Sequence, residues 1–182
     1  MLRTALAVAA AALLAGPAPA AVVTKVVEYD HDGTKLKGFL AYDDALKGKL
    51  PGVLVVHEWW GLDDYARDRA KQLAALGYVA FACDMYGEGK TVNHPDDARK
   101  MATTVRENVK AWRGRAETGL KQLASQPNVD PAKLAAIGYC FGGSTCLQLA
   151  YAGADLKAVA TFHAALPAAT ADEAKAIKPK LY

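Results

Sequence analysis

The sequence predicts an α/β domain on a doubly wound, mostly parallel sheet with an N-terminal hairpin. Short, almost wholly apolar runs recur at Gly52–His57, Tyr78–Cys83, Leu134–Gly138 and Lys157–Phe162. Such runs are expected of strands buried on both faces of a parallel sheet. Helix-period stretches separate them, which gives the alternation of a βαβ chain. A glycine-rich turn, Gly138–Gly143, lies directly between one apolar run and the helical stretch that follows it.

Composition narrows the classes. The chain has 182 residues, 52% hydrophobic and 23% charged, which is one domain of ordinary globular make-up. A net charge of +3 gives no case for a nucleic-acid or other polyanion partner. Three cysteines are too few for a disulfide scaffold, and no repeat of fixed period is present.

Residues 1–20 read as a leader rather than as part of the fold. Arg3 supplies a positive start, Ala5–Gly16 is uncharged and apolar, and Ala18-Pro19-Ala20 fits a small-x-small cleavage site. The apolar run is shorter than the about 20 residues that cross a bilayer. A cleaved secretory signal is therefore expected, with an uncleaved anchor as the alternative. The mature domain would span 21–182 and be exported to the periplasm or beyond. No later segment is long and apolar enough to hold it in a membrane.

The elements follow in order. Val22–Tyr29 is rich in β-branched residues, Asp32-Gly33 is a turn signal, and Lys35–Tyr42 alternates, so the three make a hairpin. Gly52–His57 is the first parallel strand. Asp63 or Asp64 can cap a helix to about Leu76, with Leu73 and Leu76 facing inward, and Gly77 ends it. Tyr78–Cys83 is the next strand, and Asp84–His94 a long loop. Pro95 opens a helical stretch to about Gln126, with a break expected near Gly114. Leu134–Gly138 is a strand, Gly142–Tyr151 a helix, Lys157–Phe162 a strand, and Glu173–Ile177 a short helix. Pro179–Tyr182 looks like the opening of a further strand. His31 and His94 lie in turns and are expected to be solvated.

Gly138-Tyr139-Cys140-Phe141-Gly142-Gly143 is a G-x-nucleophile-x-G turn between strand and helix. The chemistry needs these glycines. A nucleophile on so sharp a turn holds a strained backbone, and side chains two residues to either side would collide. The helix that starts beneath Cys140 favours a thiolate and an oxyanion through its dipole and free N–H groups. The bland alternative is a buried structural cysteine in a tight turn. Such an elbow takes its second oxyanion donor from the loop after an earlier strand, and His57-Glu58-Trp59-Trp60-Gly61 supplies one.

His57–Gly61, Asp84-Met85-Tyr86-Gly87 and Gly138–Gly143, in this order and spacing, resemble the dienelactone hydrolase family (carboxymethylenebutenolidases and relatives) of α/β-hydrolases. The resemblance covers Val22 to Tyr182. It implies Cys140 as nucleophile, and the backbone N–H groups of Phe141 and Trp59 as the oxyanion hole. It implies that Glu58 contacts the resting thiol, and that Trp60 and Tyr86 line the substrate pocket. The implied reaction is acyl transfer to Cys140 followed by hydrolysis of the thioester, opening a lactone or a small ester. A carboxylate beside a thiol disfavours the thiolate, so the resting enzyme would be protonated. The arginines that hold the substrate carboxylate in some members have no match here; Glu88 and Met101 lie where one would look.

In this fold the acid and the histidine of the triad follow the nucleophile. The only histidine after Cys140 is His163, at the end of a strand on the reactive face. The resemblance places the acid and the base beyond residue 182 instead, so the chain reads as lacking the C-terminal part of the domain. An inactive or binding form that keeps a reactive thiol is the alternative reading, and a thiol-redox role is weaker for want of a C-x-x-C. Gly87-Glu88-Gly89-Lys90-Thr91 fails as a phosphate loop and His57-Glu58 fails as a zinc motif, because Asp84 and Gly61 stand at key positions. No metal or cofactor is implied. Cys83 and Cys146 are expected to be reduced core residues.

Overall fold

The computed structural model describes residues 21–182. The expected leader lies outside the described residues. The hairpin forms from β1 (Val22–His31) and β2 (Thr34–Asp43). Its two-residue turn puts both Asp32 and Gly33 at positive φ, 48° and 78°, the conformation that matches the twist of the paired strands.

The parallel strands are β3 (Leu50–Val56), β4 (Val79–Cys83), β5 (Val129–Tyr139), β6 (Ala158–Phe162) and the short β7 (Lys180–Leu181). They join the hairpin in one seven-stranded sheet of order β1-β2-β4-β3-β5-β6-β7. Strand β2 meets β4 antiparallel; the remaining pairs beyond it are parallel. β5 starts earlier than its apolar run, because Val129 pairs with Leu50 before a register shift at Pro51/Gly52.

Helices cover both faces. α1 (Asp64–Ala75) packs on one, over a core that includes Phe39, Val55 and Ala82. α2 (Pro95–Glu107), α3 (Val109–Ala124) and α4 (Phe141–Tyr151) lie on the other, over Leu54, Phe81, Ala136 and Val159. A short α5 (Ala171–Ala176) follows β6, and Thr170 and Glu173 close its first turn as a capping box.

Three expectations are corrected. The inward face of α1 is Ala66, Ala70 and Ala74, whereas Leu76 is exposed; small side chains let the helix sit close to the sheet. The long helical stretch breaks at Asn108, whose side chain accepts from the Ala111 N–H at 3.0 Å and so starts a new helix. Gly114 lies inside α3, where a Cβ would come within 2.3 Å of the His31 ring. His31 is thus packed on α3, with Nδ1 3.1 Å from Thr118 Oγ1. His94 is exposed, and its ring caps α2.

Candidate active site

The parallel strand ends set the site. In the sheet Val56 pairs with Gly138, and Gly138 with Thr161. Two residues further on, the three chains carry Glu58, Cys140 and His163. These residues therefore share one level at the carboxyl edge of β3, β5 and β6, with Cys140 between the other two. The Cys140 N–H donates to the Phe162 carbonyl at 2.9 Å, so β6 stays in register up to the elbow.

Cys140 has φ 51° and ψ −115°, a strained backbone for a residue with a Cβ. The turn closes only because its neighbours lack side chains. A Cβ on Gly138 would come 2.2 Å from the Gly142 carbonyl oxygen, and one on Gly142 would come 2.2 Å from that of Val56. Cys140 is half-buried, whereas Cys83 and Cys146 are buried and free. Burial pushes both of these thiols up from their ordinary range, so neither is a nucleophile at neutral pH.

The elbow helix presents its first N–H groups to the site. Cys140 is its N-cap residue and makes no side-chain cap. Among the described residues the Phe141 N–H has no acceptor, as the first turn of a helix leaves it. The Phe141 ring is buried and stacked on Trp112 at 5.9 Å. Trp112 in turn donates to Thr145 Oγ1 at 2.7 Å, which fixes the helix against α3.

The loop after β3 is held from beneath by His57, which is fully buried. Its Nδ1 bonds the Glu58 carbonyl, and its Nε2 accepts from the Met85 N–H at 3.2 Å. A carbonyl only accepts and an amide only donates, so the proton is on Nδ1 and the ring is neutral. Burial lowers the pKa of His57, with opposing contributions from the Glu58 carbonyl, Asp84 and Asp63. The Glu58 carbonyl and the Trp59 N–H belong to one planar trans peptide, in which they point in opposite directions. Pinning the carbonyl inward on His57 therefore turns the Trp59 N–H away from the core. Among the described residues this N–H has no acceptor.

Tyr86 completes this support. It is buried, its hydroxyl donates to the Trp59 carbonyl at 2.8 Å, and its ring meets His57 at 4.9 Å. Burial pushes its phenol up, so the hydroxyl remains a donor. Asp84 organises the loop that carries Tyr86. Its buried carboxylate accepts backbone N–H groups from Tyr86, Gly87, Gly89 and Lys37 at 2.8–3.1 Å. Arg115 adds a bond to the Met85 carbonyl at 2.8 Å. Trp59 and Trp60 are half-buried and meet edge to face at 5.1 Å. Gly61 bridges to Thr91, and a Cβ there would come 2.2 Å from the Lys90 carbonyl oxygen.

The Glu58 carboxylate makes one hydrogen bond among the described residues, and its partner is His163: Oε1 to Nε2 is 2.8 Å. Among the described residues the carboxylate makes no hydrogen bond to the Cys140 thiol, whose contact with Glu58 the resemblance implies. Sequence reasoning missed the Glu58–His163 pairing, the support from His57 and Asp84, and Arg106. The Arg106 guanidinium lies 5.3 Å from the centre of the Phe141 ring and carries no ion pair among the described residues. It borders a cavity of about 310 Å³ with Trp112, Ser144, Ala165, Leu166 and Pro167. Strand register alone would have paired 58, 140 and 163, but register is not readable from the chain.

A doubly wound, mostly parallel sheet with a strained strand–turn–helix elbow at its carboxyl edge defines the α/β-hydrolase fold. The comparisons with known proteins agree. The sequence profile of the dienelactone hydrolase family matches residues 36–182, and the chain belongs to that family. It is 33% identical over 165 residues to protein usf of Aquifex pyrophilus, covering 87% of this chain and 68% of that protein. The solved structure named m3DLH superposes with a TM-score of 0.85 at 40% identity, covering 88% of this chain and 67% of that one. A dienelactone hydrolase-like promiscuous phosphotriesterase from metagenomic libraries gives 0.85 at 38% identity, covering 88% and 66%. The chain spans only 54% of a further relative from Aquifex aeolicus, at 32% identity over 130 residues.

Proposed function

We propose that this domain belongs to a hydrolase that opens a lactone or cleaves a small carboxylic ester through an acyl-thioester on Cys140. The observation that carries the reading is the strained Cys140 elbow with two N–H groups, those of Phe141 and Trp59, left without acceptors beside it. The Cys140 thiolate attacks the carbonyl carbon, a C–S bond forms, and the carbonyl oxygen takes up negative charge between the two N–H groups. Collapse expels the alkoxide, which takes a proton. Water then cleaves the thioester, releasing the carboxylic acid and the thiol. Trp60 flanks the substrate space, and Tyr86 braces its wall from beneath through the bond to the Trp59 carbonyl. The leader-like sequence of Met1–Ala20 supports an exported protein.

Mixing the protein with p-nitrophenyl acetate tests this. Wild type should release one equivalent of p-nitrophenolate in a burst and gain one acetyl group on Cys140, read by peptide mass spectrometry. Cys140→Ala should show neither. A burst that survives in Cys140→Ala, or an acetyl group placed elsewhere, refutes the assignment.

A further inference from the structure

Glu58, Cys140 and His163 stand side by side at the ends of three neighbouring strands, and the outer two are joined at 2.8 Å. Adjacent strands lie about 4.8 Å apart, so the ends of β3 and β6 are separated by about 10 Å. The carboxylate and the imidazole can meet over that distance only by reaching across the level of Cys140 from both sides. The pair is therefore a bridge over the nucleophile. His163 is built for this reach: its backbone sits at φ 41°, where residues with a Cβ are uncommon, and that bend turns the chain back over the elbow. The loop behind it is tied down, since Ser144 Oγ donates to the Ala165 carbonyl at 2.7 Å.

We infer that His163 is a positioning residue for Glu58: it holds the carboxylate in the bridge, and so sets how strongly the negative charge of Glu58 acts on Cys140. This rests on the reading of Cys140 as nucleophile. With His163 present the carboxylate has a donor and a fixed place. Without it, Glu58 is free to turn toward the thiol, where a negative charge opposes ionisation. Other charged or titratable groups face the elbow from the elements packed around it. Arg106 lies over Phe141 and Tyr86 beneath the loop, with Tyr65, Arg69 and Tyr139 on the α1 side. None of them bonds Glu58, so the bridge is the contact to break.

The test is a double-mutant cycle on the alkylation of Cys140 by iodoacetamide at pH 7, followed by mass spectrometry. Cys83 and Cys146 are buried, so the label reports Cys140. His163→Ala should slow alkylation by about tenfold, the effect of one like charge brought close. Glu58→Gln should be at least as fast as wild type. Glu58→Gln/His163→Ala should match Glu58→Gln within about twofold, because His163 has nothing left to position. His163→Gln, which keeps an N–H donor near the Nε2 position, should stay close to wild type. If His163→Ala fails to fold, His163→Asn, whose amide falls short of that position, gives the same contrast with His163→Gln.

An equal effect of His163→Ala with and without Glu58 overturns the inference, and so does no effect at all. The two readings separate cleanly. If the cycle is coupled but p-nitrophenyl acetate never acetylates Cys140, the hydrolase reading fails and the role of His163 stands. If acetylation proceeds and the cycle is additive, the role of His163 fails alone.

Discussion

His57 separates support of the fold from support of the chemistry, because its two ring nitrogens do different work. Nδ1 holds the peptide that carries the Trp59 N–H, and Nε2 satisfies the Met85 N–H at 3.2 Å. Asparagine at 57 places an amide nitrogen near Nδ1 and leaves Met85 without an acceptor. Glutamine places its oxygen near Nε2 and leaves the Glu58 carbonyl without a donor. Each variant strands one buried backbone group, at a cost of about 1–3 kcal/mol, a sizeable share of the about 5–15 kcal/mol that a domain commonly has. Urea denaturation should therefore find the two variants destabilised by similar amounts.

Their chemistry should differ. His57→Gln frees the Glu58–Trp59 peptide to rotate and removes one oriented N–H from the proposed oxyanion site, where loss of a whole donor typically costs about 100- to 1,000-fold. Acylation by p-nitrophenyl acetate should fall by about 10- to 100-fold in His57→Gln and by less than about threefold in His57→Asn. Equal loss of acylation in both variants refutes the peptide-orienting role. A pH series adds a second readout. Burial depresses the pKa of His57 in the folded state, so below the ordinary imidazole value the unfolded chain binds a proton that the folded chain does not. Stability should be full above about pH 6.5 and decline as pH falls below it, by up to about 1.4 kcal/mol per unit. Both variants should lose this contribution to the acid limb.

Three further outcomes follow from single contacts. Gly142→Ala should abolish soluble folded protein or cut acylation by at least about 100-fold, because its Cβ would sit 2.2 Å from the Val56 carbonyl oxygen with backbone on both sides; a variant with wild-type melting and acylation refutes the close approach of β3 to the elbow. Tyr86→Phe loses the 2.8 Å bond to the Trp59 carbonyl and should lower stability by about 0.5–1.5 kcal/mol in urea titration. Glu173 is held down to about 2 by the Thr170 backbone N–H first, then by Arg113 and the Thr170 hydroxyl. Its contribution is thus present above the ordinary carboxylate range and lost as pH falls toward about 2, so Glu173→Gln should flatten the acid unfolding profile in that window.

The elements that were legible in the sequence are those with a local cause. The hairpin followed from Asp32-Gly33, the elbow from its glycines, and α1 from Asp63, whose side chain accepts from the Ala66 N–H at 3.2 Å. Misreadings arose where tertiary packing outweighed local preference. Gly114 looked like a helix breaker, but its missing side chain is what lets α3 pass the ring of His31. Leu76 fitted the helix period, yet the approach of α1 to the sheet uses alanines. The candidate nucleophile and its donors were readable because one short motif holds each. The partner of Glu58 was not, since its contact with His163 spans 105 residues and depends on register across three strands.

The register also explains why so many of the site's determinants lie outside the residues that would touch a substrate. Cys140 can hold its backbone strain only if β5 is fixed on both sides. β3 fixes it through the contact of Gly142 with the Val56 carbonyl, and β6 through the bond from the Cys140 N–H to Phe162. His57 then aims the peptide that follows β3, Asp84 and Tyr86 brace it from the end of β4, and His163 returns over the elbow from the end of β6. Four parallel strand ends thus each deliver one part of the site: Glu58, the support of Asp84 and Tyr86, Cys140, and His163. A substitution that slips any one strand by a residue would turn its side chains to the opposite face, so the chemistry of the site is tied to the pairing of the sheet.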